Sequence, residues 1–165
     1  MAFRFETQYL ELEIYRLITI VEASPTLAGF EGAGSDERGL DRLRRQLDFP
    51  EISRIVVTLA AIIRSSLDAD PAGGGDSSYR AALSRRVGTL VPDRAKPQEQ
   101  PLLFWDACNK VIHAKAVEPE PILPSSGPAP PLTGRLVLYG DRNGKDWRAD
   151  LDLKEYALSA LELTP

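Results

Sequence analysis

The stretch RLVLYGDRNGKDWRADLDLKE, residues 135–155, decides the fold class, because in it the apolar spacing changes from helical to strand-like. Its second half alternates apolar and charged side chains, a period of two that gives a strand one dry face and one solvated face. The apolar members are Trp147, Ala149, Leu151 and Leu153, and the charged ones are Asp146, Arg148, Asp150 and Asp152. Asn143 and Gly144 tolerate the positive φ of a tight turn, so the stretch predicts an antiparallel β-hairpin with strands at 135–140 and 145–153.

The hairpin requires further elements around it. Two strands alone are marginally stable in water, so the Trp147 face must pack on helices or belong to a wider sheet. Residues 116–122 offer a third strand. Asp152 predicts the N-cap of a short terminal helix, with Glu155 three residues on as its reciprocal cap.

Upstream of the hairpin, apolar residues recur at helical spacing. Pro50 is assigned to a first helical turn, where its missing N–H has no helical partner to lose. The first helix has two apolar stripes, so it is either central to the bundle or docks on a partner. The fold class predicted is α+β: a mainly helical bundle of four to five helices, followed by the C-terminal antiparallel β-hairpin and a short helix. The helices are predicted at 3–23, 35–47, 50–67, 77–91 and 101–116, with a loop at 24–35.

The length of 165 residues fits a single domain, residues 1–165. Within it we predict a helical part at 1–116, a Pro-rich strap at 117–132, and the hairpin with its terminal helix at 133–165. The strap holds six prolines, a density that excludes a helix and favours an extended, polyproline-like chain. It is interpreted as a covering strap or, alternatively, as a ligand for an SH3-like domain.

Charge and composition argue against several classes of protein. The chain carries 24 acidic against 20 basic residues, a net charge of −4, which argues against a dedicated binder of duplex DNA. A single cysteine cannot form an internal disulfide, and no apolar stretch is long enough for a bilayer, so we predict a cytoplasmic protein without membrane contact. Arginine outnumbers lysine 15 to 5, which is typical of GC-rich coding and favours a bacterial source.

The segment most suggestive of chemistry is WDACNKVIH, which begins at Trp105. Trp105, Asn109 and His113 are four residues apart, so they share one face of the predicted helix, with Lys110 on the adjoining face. Histidine titrates near neutral pH, which makes His113 a candidate for proton transfer. Alternatively, His113 is structural and caps the last turn of the helix. Cys108 falls on the inward apolar stripe and is predicted to be a core residue.

Residues 108–113 of this segment resemble the motif of HEPN-type helical proteins, written Arg-Asn-x-x-x-His. Asn109 and His113 match its second and last positions, and Cys108 stands at the position of the Arg. The resemblance implies a helical RNase that acts at a helix-lined cleft, usually as a dimer. It implies RNA as the substrate and Asn109, Lys110 and His113 as the catalytic candidates.

A basic stripe on the second predicted helix supplies candidate binding residues, Arg38, Arg42 and Arg45. The stripe is interpreted as a solvated face or, alternatively, as a contact for a phosphate or an acidic partner. Under the HEPN resemblance, an arginine from elsewhere, such as Arg44 or Arg45, would supply the cation that Cys108 cannot.

No cofactor or metal site is predicted, since one histidine and one cysteine are too few ligands for a structural zinc centre. The leading hypothesis is a small protein that binds another protein, or a second copy of itself as a homodimer, without catalysis. The alternative is a HEPN-like endoribonuclease, or a degenerate nucleic-acid-binding relative, that uses Asn109 and His113.

Overall fold

A computed structural model of the chain describes residues 7–29, 35–69, 77–120 and 129–164. The α+β class is confirmed, and the hairpin lies inside a five-stranded sheet, which is a larger sheet than predicted. The elements in chain order are α1 (Thr7–Gly29), α2 (Ser35–Ala69), α3 (Ser77–Leu83), β1 (Arg86–Val91), β2 (Gln100–Leu103), α4 (Phe104–Ile112), β3 (Ala116–Glu120), β4 (Arg135–Arg142), β5 (Lys145–Asp152) and α5 (Leu153–Leu161).

The sheet is antiparallel, with strand order β2-β1-β5-β4-β3. The predicted hairpin forms β4 and β5, and its turn holds Asn143 at φ 54° and Gly144 at φ 73°. β3 is the third strand expected near 116–122, and it pairs with β4 in a register that sets Ala116 opposite Tyr139. The hairpin is therefore confirmed. Its second strand, β5, is the central strand of the sheet.

The helix predicted at 77–91 is wrong beyond Leu83, where α3 ends. The chain continues as β1, which pairs with β5 over four residues. Gly88 permits this pairing, because a Cβ at that position would lie 2.0 Å from the backbone oxygen of Asp150. A strand with a close backbone approach thus replaces the second half of the predicted helix.

The helix predicted at 101–116 is shorter than expected for a related reason. Its first residues belong to β2, which pairs with β1. The Phe104 N–H donates to the Arg85 carbonyl at 2.9 Å, and α4 runs from there to Ile112. The part predicted to be helical, 1–116, consequently also contains β1 and β2.

α1 and α2 are both longer than predicted. α1 continues past Pro25 to Gly29, through residues predicted as a loop, and α2 joins the helices predicted at 35–47 and 50–67. Pro50 lies inside α2 rather than in a first turn, so one helical hydrogen bond is missing there. Burial of one long apolar stripe outweighs this loss. The buried residues of the stripe are Ile52, Ile55, Val56, Leu59 and Ile63.

The core lies between the sheet and helices α1, α2, α4 and α5. The dry face predicted for the second strand is confirmed, because Trp147, Ala149 and Leu151 are buried. Tyr156 of α5 packs its ring against Phe104, with centroids 5.1 Å apart, and its hydroxyl donates to the Val56 carbonyl at 3.3 Å. This core fixes α4 against the hairpin.

At the start of α5, one of the two predicted capping interactions forms. The Asp152 carboxylate accepts hydrogen bonds from the backbone N–H groups of Lys154 and Glu155, both at 3.0 Å, so the N-cap is confirmed. The Glu155 carboxylate pairs instead with Arg85, at 3.3 Å, and does not form the reciprocal cap. This ion pair joins α5 to the residue that precedes β1.

The described end of the Pro-rich strap is tied to α1 and α2. Buried Arg44 donates to the carbonyls of Ala129 and Pro130, at 3.0 Å each, and Leu132 N–H donates to the Ser24 hydroxyl at 2.8 Å. Residues 121–128 lie outside the described part of the chain. None of the described helices is long and apolar enough to cross a membrane.

Candidate functional site

A cleft of about 640 Å³ opens between the C-terminal half of α4 and the tip of the β4–β5 hairpin. All three candidate catalytic residues, Asn109, Lys110 and His113, line it. The hairpin and the α4–β3 connection supply most of the opposite wall. The other lining residues are Asp106, Lys115, Asp141, Arg142 and Trp147.

His113 stands at the C-cap of α4, where the helix presents its polar face to the cleft. Its backbone N–H closes the last turn by donating to the Asn109 carbonyl at 3.1 Å. The side chain is exposed rather than buried under the hairpin. The backbone of His113 therefore caps the last turn of α4, while its imidazole lines the cleft.

The amide of Asn109 is held in one orientation. Arg64 of α2 donates from Nη1 to Asn109 Oδ1, and Asn109 Nδ2 donates to the Trp105 carbonyl at 3.2 Å. A guanidinium only donates and a carbonyl only accepts, so both partners require the same orientation. The Arg64 guanidinium also lies over the Trp105 ring, 4.1 Å from its centroid. Nδ2 carries a second N–H besides the one that bonds Trp105, and Asn109 lines the cleft.

Lys110 is held on the floor of the cleft. Its Nζ lies 4.3 Å from the centroid of the buried Trp147 ring, within the range of a cation–π contact. Burial lowers the pKa of Lys110, the charge of Arg142 lowers it further, and Asp106 opposes both. The ammonium is thus partly desolvated and fixed in position, which strengthens its interaction with an anion.

An ion pair spans one side of the cleft. Lys115, just after α4, lies 2.7 Å from an oxygen of Asp141 at the end of β4. The hydrogen bond and charge of Lys115 hold the pKa of Asp141 below its ordinary value. The charge of Asp141 therefore neutralises that of Lys115. Further N–H donors among the lining residues are those of Asn109, Lys110 and Arg142.

Cys108, which stands at the motif position of the Arg, lies in the core as predicted. Its Sγ is 3.7 Å from the hydroxyl of Tyr156. Burial raises the pKa of the thiol to about 12, so the thiolate that a nucleophile requires is scarce near neutral pH. Cys108 contributes packing behind the cleft.

The basic stripe of α2 does not join the cleft. Arg45 pairs with Asp41 of its own helix at 3.0 Å, and Arg42 is exposed elsewhere on α2. The side chain of Arg38 lies outside the described residues. Arg44 holds the strap, so the arginine in contact with Asn109 is Arg64.

Sequence reasoning missed Arg64, Lys115, Arg142 and Trp147 as members or neighbours of the cleft. Arg142 and Trp147 flank the Asn143-Gly144 turn, and their spacing indicated only a hairpin. Arg64 is 45 residues from Asn109, and no local pattern pairs them. The packing of α2 on α4 brings them together.

Among the described residues, no three His, Cys, Asp or Glu side chains are grouped so as to hold a metal ion. Comparison of the chain with protein-family models, with curated proteins and with solved structures gives no match.

Proposed function

We propose that the cleft binds single-stranded RNA and that His113 cleaves it by proton transfer. The observation that carries this proposal is the exposed imidazole of His113 in a cleft that also holds the N–H donors of Lys110 and Arg142, beside the carboxylates of Asp106 and Asp141. It is the alternative function that the Asn109–His113 motif implied. A His113 buried under the hairpin would have weighed against it.

The donors of the cleft favour a phosphate-bearing ligand. Lys110 and Arg142 are cations, and Asn109 offers an N–H once its oxygen is bonded to Arg64. Phosphate oxygens accept hydrogen bonds and carry the complementary charge. The net charge of −4 argues against the long basic surface that an extended duplex requires, so the proposal is limited to a short stretch of single strand held by the residues of the cleft.

The proposed reaction uses the 2′-hydroxyl of the RNA as its nucleophile. His113 takes the 2′-hydroxyl proton as the O2′–P bond forms, and the P–O5′ bond breaks. The Lys110 ammonium gives a proton to the departing O5′. The products are a 2′,3′-cyclic phosphate and a 5′-hydroxyl end, and Arg142 offsets the charge that develops on the phosphate oxygens.

The test is cleavage of an end-labelled, unstructured RNA by wild-type protein and by His113→Ala. Loss of a proton-transfer group lowers the rate by about 100-fold or more, and the thermal midpoint should not change because the side chain is exposed. Arg42→Ala, an exposed α2 residue outside the cleft, is the matched control and should keep full activity. Equal rates for wild type and His113→Ala, or intact RNA in both, would contradict the proposal.

A second function, binding of another protein or of a second copy without catalysis, is favoured by the outer face of α1. Tyr9 and Leu12 are each 44% exposed and Tyr15 is 68% exposed, so three large apolar side chains of one helix face solvent.

Sedimentation equilibrium tests self-association over a range of protein concentrations. Self-association through α1 predicts a dimer in wild type that Leu12→Glu dissociates and His113→Ala leaves intact. A monomer at every concentration would rule out the second copy. A dimer that Leu12→Glu does not weaken would place the contact on another surface.

A further inference from the structure

We propose that Arg64 is a positioning residue that sets the hydrogen-bonding polarity of the cleft, so that Asn109 presents its nitrogen to a ligand phosphate. The inference rests on the proposed function for the class of its ligand. Arg64 itself is not among the side chains that line the cleft. It acts from α2, behind the wall that α4 forms.

An amide side chain is nearly symmetric in shape. The oxygen and nitrogen ends of Asn109 have nearly the same shape, so packing alone does not decide which end faces the cleft. Two bonds decide it: Arg64 donates to Oδ1, and Nδ2 donates to the Trp105 carbonyl at 3.2 Å. The first is charge-assisted and about twice as strong as a neutral bond, whereas the second is a local bond within one helix.

Arg64 is itself fixed in place. Its guanidinium lies 4.1 Å from the centroid of the Trp105 ring, on the same helix as Asn109. A flat cation stacked on an indole has little freedom to turn. Because Arg64 is held in one position, its hydrogen bond to Oδ1 holds the Asn109 amide in one orientation.

The orientation of the Asn109 amide decides whether it offers a ligand a hydrogen-bond donor or an acceptor. With nitrogen toward the cleft, Asn109 adds a donor beside Lys110 and Arg142, which suits phosphate oxygens. With oxygen toward the cleft, Asn109 would repel the same oxygens. Loss of Arg64 should therefore weaken phosphate binding although Arg64 does not touch the ligand.

The experiment is an NMR-monitored titration with two probes, inorganic phosphate and a single-stranded 2′-O-methyl RNA that cannot be cleaved. Arg64→Met should weaken binding of both about tenfold, the effect of one charged hydrogen bond. Arg64→Lys keeps a donor and should restore part of the affinity. Arg45→Met, which removes an α2 arginine that pairs with Asp41 on its own helix, is the matched control and should bind as wild type does.

A double-mutant cycle separates positioning from mere support of the fold. If Arg64 acts through Asn109, then Arg64→Met combined with Asn109→Ala binds no more weakly than Asn109→Ala alone. Additive losses, or wild-type binding by Arg64→Met, would overturn the inference. If Arg64→Met fails to fold, Arg64→Lys and Asn109→Ala carry the same comparison.

The two proposals fail in different ways. Phosphate binding that depends on Arg64, together with RNA that stays intact, supports the positioning role and contradicts the RNase. Cleavage that depends on His113, together with phosphate binding that does not depend on Arg64, supports the RNase and contradicts the positioning role. If wild type binds neither probe, both proposals are wrong.

Discussion

Gly140 leaves the space that the indole of Trp147 occupies, and so it shapes the floor of the cleft. A Cβ at this position would lie 2.2 Å from Cζ2 of Trp147, a separation that forces the ring or the strand to move. The ring is buried and carries Lys110 on its face, so it has little room to give way. One added methyl should therefore disturb both the core and the cleft.

We expect Gly140→Ala to lower the free energy of unfolding by about 1–3 kcal/mol, as for other overpacked cores. Gly39→Ala in α2 is the matched control, because nothing lies within 4 Å of its added Cβ. The control should be unchanged or stabilised by about 0.5–1 kcal/mol. Urea unfolding measures both, and equal stabilities for the two variants would contradict the packing described at Trp147.

The sequence predicts two helices between residues 35 and 67, whereas the structure has the single helix α2. Two helices, with Pro50 in the first turn of the second, would make that proline nearly neutral. In a single helix from Ser35 to Ala69, Pro50 removes an interior hydrogen bond. Its side chain is exposed, so replacement disturbs no packing.

A single α2 predicts that Pro50→Ala stabilises the protein by about 1–3 kcal/mol, since proline is that unfavourable inside a helix. Thermal and urea unfolding measure the gain. An unchanged or lower stability would indicate that Pro50 begins a separate helix, as the sequence alone predicts.

The strap should make stability depend on pH through Asp41. The Ala129 N–H donates to its carboxylate at 2.6 Å, and this bond, supported by Arg45, holds the pKa of Asp41 below its ordinary value of 3.8. A carboxyl with a lowered folded-state pKa stabilises the fold above its unfolded pKa, and this stability is lost as the pH falls through the folded value.

Wild-type protein should therefore lose more stability than Asp41→Asn between about pH 5 and pH 2. The difference in the free energy of unfolding between the two proteins, followed by urea unfolding across that range, isolates the contribution of Asp41. Parallel curves would show that the carboxylate does not hold the strap.

The molecule as a whole shows which contacts a sequence reveals. The hairpin was predictable because its alternation and its Asn-Gly turn are local. β1 was not, because Val87 and Leu90 stand at a spacing that also suits a helix, and its pairing with β5 is distant in sequence. The motif residues Asn109 and His113 were predictable as neighbours on one helix. Arg64 was not, since only the packing of α2 on α4 brings it to Asn109.

The central claim is that a single-stranded RNA occupies the cleft beside His113. The chain has one histidine, so its imidazole gives one resolvable set of NMR signals. Titration with a non-cleavable single-stranded RNA should shift these signals saturably in wild type, and Lys110→Met should weaken the binding. Signals that stay unchanged at saturating RNA would contradict the account.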